Sequence, residues 1–534
     1  MKIKKVFFEK RLFVISLILG AILAILQVVG KCIDAYGSLQ GNLINFVNIF
    51  SVLLYVAVFS VIIYFGYKFI DKIRGSTKKV INIKKYMFFI IWTVIFICFL
   101  PYLLNFSPAV ITPDSTDQIY QAIGETNMNN HHPILHTLVI GMFLKVGSMF
   151  GSLNVGVMAF SVFQMLCLSA TFAFIIYYML KKEVNIYIIA ISLIYFMFYP
   201  VHSVYSITIW KDIPFAIFMA LFVIVINELI DGKKKNIQSK KYWLIFVVVS
   251  LLVMLFRNNG IYVYVLTMPI LILAISKYRK KLLMVFGITL VSYFIIKTSL
   301  FAVFDVRKGN TKEALSIPLQ QIARIYTYNR ENISQEDIEK VNKFFPVDNL
   351  DELYYPKISD NVKNVFSEEA FQKNKLEFIT LWVKLCLENF WIAVDAFLNN
   401  CYGYWYPFAS HWITMTGIDS GSYNINELGI HNKQFIDSKV INSLANIPNH
   451  KEYKIVSVLF SIGLAVWLIM FVIGYLIYVK EYKKILIFIP IFVLWLTTIA
   501  SPVFCEFRYV YSIFVCLPLL VGLSVCNNAR RECL

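Results

Sequence analysis

The sequence predicts an all-α polytopic membrane protein with about twelve transmembrane helices, and three observations carry that prediction. Hydrophobic residues make up 59% of the 534 positions and charged residues only 15%, whereas a soluble chain carries about 25% charged residues. Tracts such as 12 to 29, 44 to 67, 86 to 104 and 155 to 180 hold no charge over ~18 residues or more, enough to cross a hydrocarbon core of about 30 Å. The Lys and Arg residues fall in short clusters between those tracts, as cytoplasmic loops do. The formal charge of +18 therefore reads as a topology signal, and no nucleic-acid partner is expected. The nine cysteines form no CxxC pair, and Cys98, Cys167 and Cys516 lie inside apolar tracts as small hydrophobes.

Taken in order, the basic stretch 1 to 11 followed by apolar 12 to 30 has the form of a secretory signal. No small-x-small cleavage pattern follows, so it is read as a retained first helix. Basic clusters then occur at 72 to 85, 181 to 182, 233 to 241, 277 to 281, 480 to 484 and 530 to 531. If every cluster is cytoplasmic, each connection must close with an even number of crossings. Crossings near 12 to 30, 44 to 70, 86 to 105, 154 to 180, 185 to 199, 213 to 230, 242 to 256, 261 to 277, 282 to 304, 455 to 479, 485 to 500 and 509 to 526 satisfy that condition, provided that 133 to 150 does not span. That stretch is expected along the outer surface as a juxtamembrane helix, with Lys145 in its later half. Both termini are then cytoplasmic.

Four regions follow: 1–85, two additional N-terminal helices and a cytoplasmic loop; 86–304, a transmembrane core with a first outer loop at 105–153; 305–453, an extracytoplasmic α-rich domain; and 454–534, the C-terminal helices and a short tail. Within the outer domain, 377 to 399 reads as one helix whose Trp382, Phe390, Trp391 and Phe397 rest on the bilayer interface.

Chemistry concentrates in the outer loops. Thr112-Pro113-Asp114-Ser115-Thr116-Asp117-Gln118 offers Ser115 and Gln118 as a capping box, which sets Asp114 just before a helix N-terminus. Asp114, Asp117 and Glu125 lie in a stretch, 105 to 141, without Lys or Arg. Such a site suits a general base or a cation, against the plainer reading of solvated turn aspartates. His132 and His136 have i, i+4 spacing, but no HExxH glutamate accompanies them. Positioning or substrate hydrogen bonding by His132 is preferred to metal binding, and no metal or other cofactor is expected. Lys211 beside Asp212, Arg257, and Arg508 after Glu506 put cations on a face where positive charge is unusual. Phosphate is their natural partner; mutual neutralisation of Lys211 with Asp212 and Arg508 with Glu506, and snorkelling of Arg257, are the plainer alternatives.

Pro113-Asp114-Ser115, then His132-Pro133-Ile134-Leu135, then Glu506-Phe507-Arg508-Tyr509 resemble, in that order, the GT-C superfamily of membrane glycosyltransferases, which includes protein O-mannosyltransferases and lipid A aminoarabinose transferases. The likeness is strongest to a bacterial branch of that superfamily. It covers roughly 86 to 526, and Ile134 departs from the family's second proline. It implies a hexosyl or pentosyl transferase with a GT-C-like bundle, moving sugar from a polyprenyl-phosphate donor to a cell-envelope glycan, lipid or protein acceptor on the outer face with inversion. Asp114 would be the base, with Asp117 or Glu125 as its acidic neighbour, and the arginine of the late loop, Arg508, would meet the carrier phosphate. Lys211 and Arg257 are further candidates for that phosphate. A polysaccharide polymerase or ligase does not need the early aspartate. A transporter or flippase of lipid-linked glycans would need charges near mid-bilayer or repeated halves, and Lys68, Glu228 and Lys297 fall toward the ends of their crossings.

Overall fold

The computed structural model describes residues 2 to 526 apart from 76 to 82, 232 to 236, 308, 310, 410, 411, 422, 451 and 453. Lys78, Lys79, Lys233, Lys234, Lys235, Arg530 and Arg531 of the basic clusters therefore lie outside the described residues. Among the described residues the chain is helical, with isolated β-bridges and no strand. Eight helices among the described residues are long and apolar enough to cross a membrane, or nine if one bent pair counts as a single span. This is a membrane protein.

Its first half consists of α1 (Lys2–Tyr36), α2 (Phe46–Gly75), α3 (Tyr86–Asn105), α4 (Pro113–Ile123), α5 (Ile134–Met149), α6 (Leu153–Lys181), α7 (Ile186–Phe198), α8 (Pro200–Ile207), α9 (Asp212–Asp231), α10 (Lys240–Phe256), α11 (Gly260–Ala274) and α12 (Arg279–Val303). The α7–α8 pair bends by 50° where Pro200 forces Tyr199 into extended backbone. The chain returns from residues 305–453, the domain expected on the outer face and called the outer domain for that reason, through α16 (Ile462–Tyr478), α17 (Ile489–Ala500) and α18 (Tyr511–Val525). The predicted crossing at 455 to 479 is broken: a short helix, Lys454–Leu459, ends before Ser461, whose hydroxyl accepts from Leu464 N at 3.1 Å and caps α16.

Helices α6, α9 and α18 form the most enclosed part of the bundle, around buried side chains such as Phe172, Phe215 and Tyr511. Small residues allow the closest approaches, as apolar surroundings favour. A Cβ on Gly147 of α5 would stand 2.3 Å from the backbone nitrogen of Gly156 in α6, so α5 is pressed directly onto the start of α6. Its other face leaves Met142, Val146 and Met149 exposed.

The first two helices are joined to both ends of the later bundle. Asp71 accepts from the hydroxyls of Tyr475 at 2.8 Å and Tyr478 at 3.1 Å, while Asp34 accepts from Tyr402 at 2.6 Å. The outer domain has its own apolar core, in which Phe366 and Phe371 of short segments pack on Phe378 of α14 (Lys375–Glu388) beneath α13 (Ser316–Asn329). Residues after α15 (Phe390–Cys401), including Tyr402, Tyr404 and Ile413, instead join the core of the bundle. The expected single helix over 377 to 399 is two, broken at Asn389, whose side chain turns back to donate to Leu385 O at 3.0 Å. Of its four aromatics, Phe390 and Trp391 are exposed, whereas Trp382 donates to Gln321 at 2.8 Å inside the domain and Phe397 packs against the bundle.

Candidate active site in the outer cleft

The strand-like residues before Asp114 hold the site together. Ile209 N donates to Val110 O at 3.1 Å and Val110 N to Ile207 O at 3.0 Å, while Ile111 N donates to Gly417 O at 3.0 Å and Asp419 N to Ile111 O at 2.9 Å. One buried turn of chain thus ties the first outer loop to the Lys211 loop on one side and to the outer domain on the other. Thr112 is the N-cap of α4 and Pro113 its first helical residue, the position where a missing N–H costs nothing. The capping box lies one turn earlier than Ser115 and Gln118: Ser115 Oγ accepts from Thr112 N at 3.2 Å and donates to Ile209 O at 2.8 Å. Asp114 therefore stands in the first turn of α4, not ahead of it, where the helix dipole favours an anion. Gln118 donates to Thr137 Oγ1 at 2.8 Å and lies 3.0 Å from His136 Nδ1, fastening α4 to α5.

Five of the expected residues form one chain of contacts. Arg508 donates to Asp114 Oδ2 at 2.7 Å, and Lys211 Nζ reaches the same oxygen at 3.4 Å. Lys211 also donates to His132 Nδ1 at 2.7 Å, and His132 Nε2 faces Asp117 Oδ2 at 3.1 Å. Since an ammonium can only donate, His132 is neutral with its proton on Nε2. Burial first, and Lys211 second, pull its pKa down to about 4. Asp117 also accepts from Gln121 at 2.8 Å and from Tyr423 of the outer domain at 3.4 Å. Its partner is thus His132, and through Lys211 it is connected to Asp114. Glu125 is exposed at the end of α4, away from this chain.

Burial works against the charge on Asp114, yet Arg508 and then Lys211 outweigh it and hold the carboxyl well below the usual carboxylate range. Burial lowers the Lys211 pKa. Glu506, 3.2 Å from Arg508 Nε, is pushed up to about 7, first by burial and further by Asp114 and Asp212. Asp212 does not neutralise Lys211; it faces Arg257 NH1 at 3.1 Å. Arg257 does not snorkel outward either, for it donates to Tyr509 O at 2.6 Å and lies over the Tyr509 and Phe215 rings. Trp210, whose Nε1 donates to Thr112 Oγ1 at 2.7 Å, supports the Arg508 guanidinium with its ring centroid 5.0 Å away.

Asp114, Lys211, Arg257, Glu506 and Arg508 all open onto one cleft of about 810 Å³ between the helix ends and the outer domain. Its remaining walls carry the amides of Asn130, Asn258 and Asn259, the rings of Trp412 and Phe504, and Ser359, Lys357 and Lys363 from the outer domain. His132, Asp117 and Asp212 stand behind this surface. The His132 and His136 pair does not share a helix face, because His132 precedes the helix and Pro133 is its N-cap. Among the described residues no group of three or more His, Cys, Asp or Glu is arranged to hold a metal ion.

The wall amides were not singled out by sequence, although Asn258 and Asn259 directly follow Arg257. Tyr423 could not be found from sequence at all, lying 306 positions from the aspartate it meets. The sequence model of a family of unknown function, DUF6020, matches residues 122–533. That stretch contains His132, Lys211, Asp212, Arg257, Glu506 and Arg508 and begins just after Asp114 and Asp117. No curated protein and no solved structure matches the chain.

Proposed function

The chain belongs to the DUF6020 family, and from the contents of its outer cleft we propose that it is a membrane glycosyltransferase taking sugar from a polyprenyl-phosphate donor. The single observation that carries this reading is the shared contact of Arg508 and Lys211 with Asp114 on the cleft surface. A sugar leaving as its carrier phosphate needs cations for the departing oxygens and a base for the acceptor hydroxyl. Here both stand within hydrogen-bond reach of each other. The amides and rings of the walls suit a hydroxyl-rich ligand, and Asn130, Asn258, Trp412 and Phe504 are the groups to recognise it.

The same contact suggests an order of events. While Arg508 and Lys211 contact it, Asp114 is a weak base, because two cations stabilise its charge. A donor phosphate that draws Arg508 and Lys211 to itself relieves that stabilisation, raises the Asp114 pKa and readies the carboxylate. The acceptor oxygen then forms a bond to the anomeric carbon as the bond from that carbon to the phosphate oxygen breaks. The hydroxyl proton passes to Asp114, the electron pair leaves with the phosphate, and the anomeric centre inverts. Lys211, held by neutral His132 and through it by Asp117, is kept aimed at the phosphate.

In the membrane the reading retains twelve crossings, with the shorter helices α10, α11 and α16 completing the count, both termini in the cytoplasm and the cleft on the outer face. Residues 305–453 then cover the site and select a cell-envelope acceptor. A transporter would need charge along a path through the bundle, whereas the charges of the cleft gather at helix ends. The test is the envelope glycan composition of a host strain lacking the chain, restored with the wild type or with Asp114→Asn. The reading expects a missing glycosylation that the wild type restores and Asp114→Asn does not. Equal restoration by both would remove Asp114 as the base.

A further inference from the structure

Lys297 is a charged residue of α12 that does not line the cleft. It lies six positions before that helix ends at Val303, about 9 Å along the axis, where the neighbouring Phe294 and Ile295 are exposed. Among the described residues no carboxylate comes within ion-pair distance of it; its Nζ lies 3.4 Å from the Tyr293 hydroxyl and near the rings of Tyr293 and Phe301, at 5.6 and 5.5 Å. An ammonium at this depth is costly and calls for a partner. Snorkelling toward the headgroups accounts for the depth, but not for what lies beside it.

Beside it is a narrow slot between α5, α10 and α12, lined by Leu135, Met254, Tyr293 and Lys297. Its inner residues, Asn130, Pro133 and Asn258, also line the large cleft. The slot thus runs from Lys297 on α12 toward the cleft, with a cation at one end and amides at the other. Its volume of about 20 Å³ admits a single water, so a headgroup meets Lys297 at the mouth and passes inward only as α5 and α12 part.

We infer that Lys297 is the landing site for the phosphate of an isoprenoid-phosphate lipid, which enters the cleft sideways between α5 and α12. The inference rests on the glycosyltransferase reading for the identity of the lipid as well as for its destination. Its test is a binding measurement: the full chain in lipid nanodiscs, photolabelled with a polyprenyl monophosphate carrying a diazirine near the phosphate. Label is expected on 293 to 301, falling about ten-fold in Lys297→Gln, the scale of one charge-assisted contact, and returning in Lys297→Arg. Lys68→Gln, at the other end of the membrane on exposed α2, should leave it unchanged.

Unchanged labelling in Lys297→Gln would overturn the inference, as would equal loss in Lys68→Gln. Displacement by phosphatidylglycerol as effective as by unlabelled polyprenyl phosphate would make the site one for any anionic lipid, and displacement by inorganic phosphate one for a soluble anion; either result also overturns it. Asp114→Asn separates this inference from the enzymatic one, since that variant should bind the probe normally and transfer nothing. If no variant transfers sugar but Lys297→Gln still loses label, the lipid site stands and the enzymatic reading falls.

Discussion

Replacing Arg508 by Gln removes the guanidinium 2.7 Å from Asp114 while keeping a side chain that fills most of its space. Two unit charges about 4 Å apart attract by about 4 kcal/mol at an effective dielectric of ~20, and about 1.4 kcal/mol corresponds to one pKa unit. Water entering beside the shorter side chain and the remaining Lys211 contact reduce that ceiling, leaving a rise on the order of two units. Asp114 starts well below the carboxylate range, so in Arg508→Gln its pKa should rise back toward that range, since burial is then opposed mainly by the Lys211 charge. A base must be deprotonated to work, so its rate is lost as pH falls through its pKa. The acidic limb of kcat/KM, which reports the free enzyme, should therefore move to higher pH in the variant, while wild type stays flat as far down as the fold tolerates. The rate itself should drop about 10²- to 10³-fold with the lost phosphate contact, so product is best counted by mass spectrometry. An acidic limb at the same pH in both proteins would refute the claim that Arg508 governs Asp114.

Other consequences are separately measurable. Glu506 has a folded pKa of about 7, raised above the ordinary 4.5; the fold favours its protonated form, an advantage complete below pH 4.5 and lost as pH rises through 7. Glu506→Gln should match wild type in thermal melting near pH 5 and exceed it above pH 7, by up to about 3 kcal/mol; a constant difference across pH would count against the buried carboxyl. His136 is held neutral by burial, its pKa lowered to about 3, so its contribution is present above the unfolded value of 6.5 and is lost as pH falls toward 3. His136→Gln should flatten the loss of melting temperature between pH 6 and 4, and an unaltered slope would oppose that account. Gly147→Ala drives a methyl into the Gly156 backbone, which should cost about 1–3 kcal/mol and lower activity by displacing His132 at the start of α5; melting as in wild type would mean that the two helices part freely.

The membrane character and most helices were legible because charge-free length is a one-dimensional property, counted directly along the chain. The outer cations were legible for the same reason, since Lys211, Arg257 and Arg508 interrupt an apolar pattern. Their partners were not. Adjacency in sequence suggested Lys211 with Asp212 and Arg508 with Glu506 alone, but Asp212 heads α9 and faces the bundle, where Arg257 meets it. Lys211, one residue earlier, faces the cleft and Asp114. A single helical position thus separated Lys211 from Asp212, whereas Arg508 keeps Glu506 and meets Asp114 as well. The capping box was misread by one turn because Ser115 fits both the cap and the N3 position, and only the Pro113 signal at N1 distinguishes them. Asn389 ended a helix through a bond to its own preceding turn, a competition that periodicity does not register.

The central claim is that Asp114 and its two cations together perform displacement at a phosphate-linked sugar. The most direct measurement is the release of free polyprenyl phosphate by purified protein in liposomes, with and without a hydroxyl acceptor, for wild type and Asp114→Asn. The account predicts carrier phosphate and anomerically inverted product in equal amounts from wild type, only when acceptor is present, and neither from Asp114→Asn. Release that ignores the acceptor, or that continues undiminished in Asp114→Asn, would contradict it.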